Sequence, residues 1–433
     1  MRAGGEGAAV RAGGTLCPGP RGRAPGRAQR HGRGVRADPG GDGAMTPFSL
    51  EPKRYDELVR IRRDIHRHPE LAFAERRTAA IVRHDLAELG LDAVSGVAGT
   101  GVVAVLDTGR PGRTVGLRVD MDALPMTETA DVPFKSEVPG AAHTCGHDVH
   151  CAIGLGAASL LCERRHTLRG RFKFLFQPAE ETLEGARAMI EAGVLEAPAV
   201  DVLLGCHNSP QLDTGRIGYR HGASMASSSA FVIDVRGAAG HAAHPRSGVD
   251  ALQALPMLLT GLNAIRAKEV AADQPLILSV GRIQGGRARN VICDAVTLEG
   301  TCRTLDDAVR GEVEAALRRL AQGTATATRT AVDVQWRTLA PALVNDRDTL
   351  ERAIRAIERG LGADALVALD ALSMGGEDFA WYGQHVPVAH LRIGSRCAGS
   401  STQLHQSDYF CDERAIEAGA LALAAAAAEL AAT

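Results

Sequence analysis

The stretch RFKFLFQPAEE (171–181) joins an apolar run directly to a polar cluster. The run at 171–176 is nearly continuous in apolar residues, which favours a strand buried on both faces of a sheet. Two adjacent carboxylates, Glu180 and Glu181, follow the run after a Gln-Pro-Ala turn. A buried strand with polar residues at its carboxyl end is typical of an open α/β sheet, which builds its sites at that edge.

The same pattern recurs along the chain. Apolar runs lie at 102–106, 114–119, 171–176 and 200–205, and segments with helical periodicity lie at about 148–164 and 184–194. This alternation predicts an α/β domain with a mixed, largely parallel sheet. Polar clusters follow three of these runs, and the carboxyl ends of parallel strands meet at one edge. We therefore expect the clusters to converge.

The middle of the chain has a different pattern. Residues from about 228 to 337 read as strand, helix, strand, strand, helix, strand, which is the βαββαβ order of a ferredoxin-like sandwich. The α/β pattern resumes afterwards and ends in an Ala-rich helix. We predict that residues 226–337 form an inserted domain and that 45–225 together with 338–433 form the α/β domain that it interrupts.

Composition limits the classes of function. The formal net charge of −2 gives no attraction to nucleic acid or to an anionic membrane surface, and no apolar run is long enough to span a membrane. Nine cysteines without framework spacing favour a reducing compartment, so we expect a cytoplasmic protein. Residues 1–44 hold 13 Gly and 8 Arg with almost no large aliphatics, which predicts a disordered leader.

A thiol and two imidazoles occur together in TCGHDVH (144–150). Cys, His and Glu are the side chains that bind zinc-like metals, so Cys145, His147 and the Glu180–Glu181 pair indicate a metal-activated water and a hydrolase. Each cluster alone also fits helix capping or core packing. A cysteine hydrolase using Cys145 and a non-catalytic binding protein stay open, whereas a zinc deaminase is disfavoured because its HxE…PCxxC signature is missing.

Nine motifs in one order carry a resemblance to a known family. They are RVDMDALP (118–125), HTCGHDVH (143–150), QPAEE (177–181), GCHNSP (205–210), GHAAHP (240–245), ARNVICD (288–294), GTCRT (300–304), MGGEDF (374–379) and LHQ (404–406). From about Tyr55 to the C-terminus the chain resembles the M20 metallopeptidases, in the amidohydrolase branch that contains hippurate hydrolases and auxin-conjugate hydrolases.

The resemblance implies a zinc-peptidase-like catalytic domain with an inserted ferredoxin-like lid or dimerisation domain. It also implies two divalent metal ions (Zn, Mn, Co or Ni), a general base at Glu180 and a supporting acid at Asp122. The implied metal ligands are Cys145, His147, Glu181, His207 and His405. The expected reaction is hydrolysis of the amide bond of a hippurate-like N-acyl amino acid, with an aminoacylase or dipeptidase of the same family as the alternative.

The resemblance further assigns roles within the inserted domain. His241 matches a histidine that stabilises an oxyanion, and Asn290 and Arg303 match residues that contact the substrate. A homodimer formed through this domain is expected. The chain departs from the family at Cys293, where Pro is usual, and at Arg246 and Ser209, where His and an aromatic residue are common.

Overall fold

The structure is a computed structural model that describes residues 47–397, 399 and 401–432. The predicted leader at 1–44 lies outside the described residues. Among the helices that are described, none has the length and apolar character needed to cross a membrane.

The helices and strands follow the predicted alternation. The α-helices are α1 (Pro52–Arg67), α2 (Arg76–Glu88), α3 (His147–Glu163), α4 (Gly185–Glu191), α5 (Ala254–Lys268), α6 (Asp307–Thr328), α7 (Arg347–Leu361) and α8 (Ala415–Ala431). The strands are β1 (Ala93–Val97), β2 (Gly101–Asp107), β3 (Thr114–Asp120), β4 (Arg171–Gln177), β5 (Val202–Asp213), β6 (Ile217–Tyr219), β7 (Gly222–Met225), β8 (Ser228–Arg236), β9 (Leu276–Gly285), β10 (Ala295–Thr304), β11 (Ala331–Ala340), β12 (Leu343–Asn345), β13 (Leu366–Ala368) and β14 (Val388–Arg396).

The larger sheet has eight strands in the order β1-β2-β4-β3-β5-β14-β6-β13. Its centre is parallel, from β4 through β3 and β5 to β14, and antiparallel pairs lie towards both edges. This confirms the predicted mixed, largely parallel sheet.

Both faces of this sheet are covered, which explains why its central strands are apolar throughout. Along β4, Phe172, Phe174 and Phe176 pack into the core shared with α1, α2, α3, α7 and α8. Leu175 points to the opposite face and packs in a second cluster with residues of α4 and the 378–384 segment. Alternate residues of a strand face opposite sides, so both sides must be apolar here.

Small residues allow α3 and α8 to pack closely on one face of the sheet. A Cβ atom added to Gly156 would lie 2.8 Å from the Cβ of Ala420, and one added to Gly419 would lie 2.6 Å from Ile153 Cδ1. The protein has few aromatic residues and many alanines, and this helix pair shows how short side chains fill the core at close packing distances.

The inserted segment forms a separate four-stranded sheet in the order β11-β8-β10-β9, with every neighbouring pair antiparallel. Helices α5 and α6 contribute Leu258 and Leu317 to a core that also holds Phe231 and Leu298. Strand order and connectivity are ferredoxin-like, as predicted. The exact boundaries of the two domains remain a prediction.

The first helix of the inserted segment begins after a short capped turn. Asp250 accepts a hydrogen bond from the Leu252 backbone N–H at 3.0 Å, and residues 251–253 form a short 3₁₀ turn before α5 starts at Ala254. The capping aspartate therefore stabilises a tighter turn ahead of the α-helix.

Candidate metal centre

Cys145 and His147 lie where the chain turns into the N-terminus of α3. Gly146 between them has a φ of +88°, and a Cβ atom at this position would lie only 2.7 Å from Asn208 Nδ2. Glycine adopts this left-handed conformation without steric cost. The turn brings the thiol and the imidazole into the same cluster of metal-binding atoms, with Cys145 Sγ 3.3 Å from His207 Nε2.

Asp122 holds the loop that carries the two glutamates. Its Oδ1 accepts a hydrogen bond from the Glu180 backbone N–H at 3.0 Å, and its Oδ2 accepts one from the Glu181 N–H at 2.9 Å. Its Oδ1 also lies 3.3 Å from His147 Nδ1. One buried carboxylate therefore positions both glutamates and leaves His147 Nε2 free to face them.

The side chains predicted as metal ligands come together in the structure. Glu181 Oε1 lies 3.8 Å from His147 Nε2 and 3.5 Å from His405 Nε2. The ligand atoms fall into overlapping groups within 4.8 Å, namely Cys145 with His147 and His207, Cys145 with Glu181 and His405, and His147 with Glu180 and Glu181.

The donor set fits a pair of divalent cations. Among the described residues, neither His147 Nε2 nor Glu181 Oε1 has a hydrogen-bond partner, although both atoms are buried. Buried polar atoms normally have partners, so two unpartnered ligand atoms aimed at one space indicate a bound cation. Thiolate, imidazole and carboxylate together suit Zn and the neighbouring transition metals.

Burial and crowded carboxylates dominate the electrostatics. Burial, followed by the charges of Glu377, Glu181 and Asp378, raises the pKa of Glu180 well above its usual range. Burial likewise raises the pKa of the Cys145 thiol, and Glu181 adds to the effect. A metal cation bound between Glu180 and Cys145 would lower the pKa of both groups and favour the carboxylate and the thiolate.

Behind the cluster, Arg118 connects the ends of three chain segments. Fully buried on β3, it donates to Asp120 at 2.9 Å, to Gln177 at 2.8 Å and to Asp378 at 2.7 Å. Glu377 Oε1 lies 3.2 Å from the same guanidinium. The motif that contains Glu377 and Asp378 is visible in the sequence, but neither residue was predicted to have a role. The sequence feature that could have indicated this network is Arg118 itself, a single arginine in the otherwise apolar run at 114–119.

A cavity of about 710 Å³ opens over the cluster. Its lining includes Cys145, Glu180, Glu181, His207 and His405 from the larger domain, and Arg303 from β10 of the inserted sheet. The Arg303 Nη1 donates to the Met374 carbonyl at 3.2 Å. A substrate in this cavity would therefore contact both parts of the protein.

The structure does not place His241 and Asn290 in the cavity lining. Both are exposed on the inserted domain, where the Ala242 backbone N–H donates to the Asn290 carbonyl at 3.1 Å and His241 pairs with Val291. These two predicted residues are thus next to each other and apart from the predicted ligands.

The three departures from the family pattern lie in different places. Ser209 lines the cavity and donates to Gln211 at 3.0 Å. Arg246 is exposed, and Cys293 is buried in the core of the inserted domain. Of the three, only Ser209 is placed to contact a substrate in this conformation.

The doubly covered α/β sheet and the cluster of thiol, imidazole and carboxylate ligands beside a buried glutamate define a metal-dependent hydrolase. Residues 116–429 match the model of peptidase family M20/M25/M40, and the chain belongs to this family.

Similar proteins extend this finding. The chain is 36% identical over 363 residues to an N-acetylcysteine deacetylase of Bacillus subtilis, covering 84% of this chain and 93% of the relative. It is 35% identical over 373 residues to thermostable carboxypeptidase 2 of Saccharolobus solfataricus, covering 85% of this chain and 93% of the relative. The solved structure of Bacillus subtilis YxeP, a dinuclear metal-binding peptidase of the M20 family, superposes with a TM-score of 0.76 at 33% identity, covering 87% of this chain and 98% of that one. The protein is a hydrolase of amide bonds that uses two divalent metal ions.

Proposed function

We propose that the protein hydrolyses the amide bond of N-acyl amino acids, with a hippurate-like compound as the expected type of substrate. The observation that carries this proposal is the Glu180 carboxylate in the cavity wall, whose Oε2 lies 3.9 Å from His147 Nε2. It stands beside the ligand cluster while Glu181 faces two of the predicted ligand imidazoles. The relatives named as a deacetylase of N-acetylcysteine and as a carboxypeptidase support an amide bond as the target here.

In this proposal Cys145, His147, Glu181, His207 and His405 hold the two metal ions, and Asp122 orients His147. When bound, the ions supply Lewis acidity for the amide carbonyl and for the attacking water. Asp122 keeps His147 Nε2 directed at the cluster through its contact with Nδ1, a common arrangement around metal-bound histidines.

Glu180 is the proposed general base. It accepts a proton from the attacking water and passes that proton to the leaving nitrogen, so that the amino acid departs as a neutral amine. The backbone N–H that Glu180 donates to Asp122 fixes its loop, and the carboxylate is left at the cavity wall. Arg303 is suited to bind the α-carboxylate of the amino acid, because a guanidinium fork matches a carboxylate.

His241 is the proposed oxyanion donor and Asn290 a proposed substrate contact. Since neither lines the cavity, the inserted domain must move, or a second copy of the chain must supply them. We propose a homodimer that forms through the inserted domain. We also propose a cytoplasmic location, because buried cysteines such as Cys145, Cys206 and Cys302 are free thiols.

A cysteine hydrolase is the second candidate, because Cys145 Sγ lies 3.3 Å from His207 Nε2, within the range of a thiol–imidazole pair. Burial and nearby acids raise the pKa of Cys145, which opposes thiolate formation unless a metal is bound.

The test is hydrolysis of acetyl-, benzoyl- and indoleacetyl-amino acids, with dipeptides alongside, after loading with Zn, Mn, Co or Ni. We expect turnover of at least one acyl class and its loss on removal of metal by a chelator. Activity that survives the chelator but not a thiol reagent would establish the cysteine hydrolase instead. Faster cleavage of dipeptides would establish the dipeptidase alternative.

A further inference from the structure

Arg392 lies in the wall of the cavity beside a predicted metal ligand. It belongs to β14, where it is in register with His207 on β5. On its other side is Gly218 of β6, where an added Cβ would lie 3.1 Å from the Cβ of Arg392. The glycine therefore leaves room for a long side chain in the middle of the sheet.

Within the part of the chain that the structure describes, the guanidinium of Arg392 has no carboxylate partner. Among the described residues it forms no ion pair, and its side-chain hydrogen bond runs from Nη2 to Met225 Sδ at 2.6 Å. A thioether is a weak acceptor, whereas a guanidinium offers five N–H donors in a fixed fork. Most of the hydrogen-bonding capacity of this side chain is thus unused.

Besides Arg303, which is assigned to the α-carboxylate, two other arginines near the site are held by more partners than Arg392 is. Arg220 also lines the cavity, but it donates to the carbonyls of Ala223, Leu369 and Asp370. Arg118 is bound to a group of buried acids behind the site. Neither has a free fork to offer a ligand.

The surroundings make an uncompensated charge at Arg392 costly. Glu377 lines the same cavity, but its Oε1 pairs with Arg118 at 3.2 Å. Apolar side chains of Leu369 and Leu372 line the same cavity. A half-buried cation in such a wall is stabilised when an anion enters and pairs with it.

We propose that Arg392 binds a second carboxylate of the substrate, in addition to the α-carboxylate assigned to Arg303. This inference rests on the proposed function and narrows its substrate class to N-acyl amino acids that carry two carboxylates. The second carboxylate comes either from a dicarboxylic acyl group, such as succinyl, or from an acidic side chain, such as that of glutamate. Both sources present the same planar anion to the guanidinium fork.

The experiment compares kcat/KM for N-acetylalanine, N-acetylglutamate and N-succinylalanine with the metal-loaded protein. We expect one of the two dicarboxylates to be preferred about tenfold or more over N-acetylalanine. Arg392→Met should reduce kcat/KM for that substrate about 10- to 100-fold, mainly through KM, and reduce it far less for N-acetylalanine. The substrate that suffers the larger loss identifies the source of the carboxylate.

Arg303→Met is the matched control, because it should lower kcat/KM for all three compounds alike. An equal loss on all three with Arg392→Met, or no preference by the unaltered protein, would overturn the inference. If Arg392→Met does not fold, Arg392→Lys keeps the charge without the fork and should show a smaller, equally selective loss.

A binding measurement separates this inference from the proposed function. Calorimetric titration of the same three compounds into metal-loaded Glu180→Gln protein should show tighter binding of the preferred dicarboxylate, with the difference lost when Arg392→Met is added. Absence of hydrolysis by the unaltered protein would contradict the proposed function alone. Equal binding of all three compounds would contradict the role of Arg392.

Discussion

At the residue scale, Asp122 explains how two adjacent glutamates take different roles. Its two oxygens accept the backbone N–H groups of Glu180 and Glu181, so the loop is fixed and each side chain leaves it in its own direction. Both glutamates line the cavity and lie near His147 Nε2, at 3.9 Å for Glu180 and 3.8 Å for Glu181, and Glu181 also lies 3.5 Å from His405 Nε2. Two acids that only stabilise a helix N-terminus would not need a buried carboxylate to bind both of their backbone N–H groups.

Glu180→Gln should leave the fold and the metal content unchanged and lower kcat about 100- to 10,000-fold, the usual contribution of a positioned base. The amide has nearly the same shape as the carboxylate but cannot accept the proton. The measurement is kcat alongside metal content by atomic emission. A variant with full turnover would show that another group is the base.

Cys145→Ser should weaken metal binding roughly tenfold or more, because a hydroxyl is a much poorer ligand than a thiolate. The readouts are metal retained after dialysis and the metal-dependent rise in Tm. Cys162→Ser is the control, since Cys162 lies at the far end of α3 and outside the metal-binding groups. Equal metal retention in both variants would make Cys145 a packing residue.

At the element scale, the turn at the start of α3 leaves no room for a side chain at its glycine. Gly146 must adopt a positive φ and must also lack a side chain, because Asn208 occupies the adjacent space. Cys145 and His147 flank this turn, so a change in its path moves both.

Gly146→Ala should therefore reduce both stability and metal affinity. Gly140→Ala is a matched control, because Gly140 has a similar φ of +77° with nothing within 4 Å of an added Cβ. Both variants should lose roughly 1–2 kcal/mol to backbone strain. Only Gly146→Ala should lose metal as well, as measured by calorimetric titration of Zn or Mn. Equal metal affinity in the two variants would show that the turn tolerates displacement.

Elements with long, regular patterns were predictable from the sequence, and short ones were not. The buried strands β3 and β4, the helix α3 and the Ala-rich helix α8 match their predictions. The strand predicted at 200–205 is longer than expected, because β5 runs from Val202 to Asp213 and contains His207 instead of ending before it. Strands β6, β7 and β12 span too few residues to show a period, and they form only because tertiary pairing supplies their partners.

The predictability of the site has a similar limit. The Cys, His and Glu residues in the sequence motifs predicted a metal-binding cluster, and the structure places these side chains close together. The network around Arg118 could not be predicted, since it joins β3, β4 and the 377–378 segment across long sequence separations. That Arg392 has no carboxylate partner among the described residues is likewise visible only once its neighbours in space are known.

At the scale of the whole molecule, the site draws on both parts of the protein. The ligand cluster and Glu180 belong to the larger domain, while Arg303 reaches the same cavity from β10 of the inserted sheet. His241 and Asn290 lie elsewhere on the inserted domain and outside the cavity lining. Completing the site with them requires a change in domain arrangement or a second subunit.

His241→Ala should lower kcat substantially, with little change in KM, because an oxyanion donor acts in the transition state rather than in the ground state. A loss of about 100- to 1,000-fold is the usual effect of removing one such donor. His244→Ala is a suitable control, since His244 lies on the same turn with its ring centroid 5.6 Å from that of His241. An unchanged kcat with metals bound would leave His241 as a surface residue of this turn.

Mixing two inactive variants tests whether His241 acts from the partner subunit. We expect equal amounts of His241→Ala and Glu180→Gln protein, unfolded and refolded together, to recover roughly a quarter of the unaltered activity. Random pairing makes half of the dimers mixed, and in each mixed dimer one site combines an intact Glu180 with an intact His241 from the other chain. The recovered activity should depend on dimers that form through the inserted domain. It should therefore be lost at protein concentrations where light scattering shows monomers. If His241 instead reaches the site of its own chain by domain closure, no mixed dimer contains a complete site, and the mixture stays inactive while each variant still binds metal.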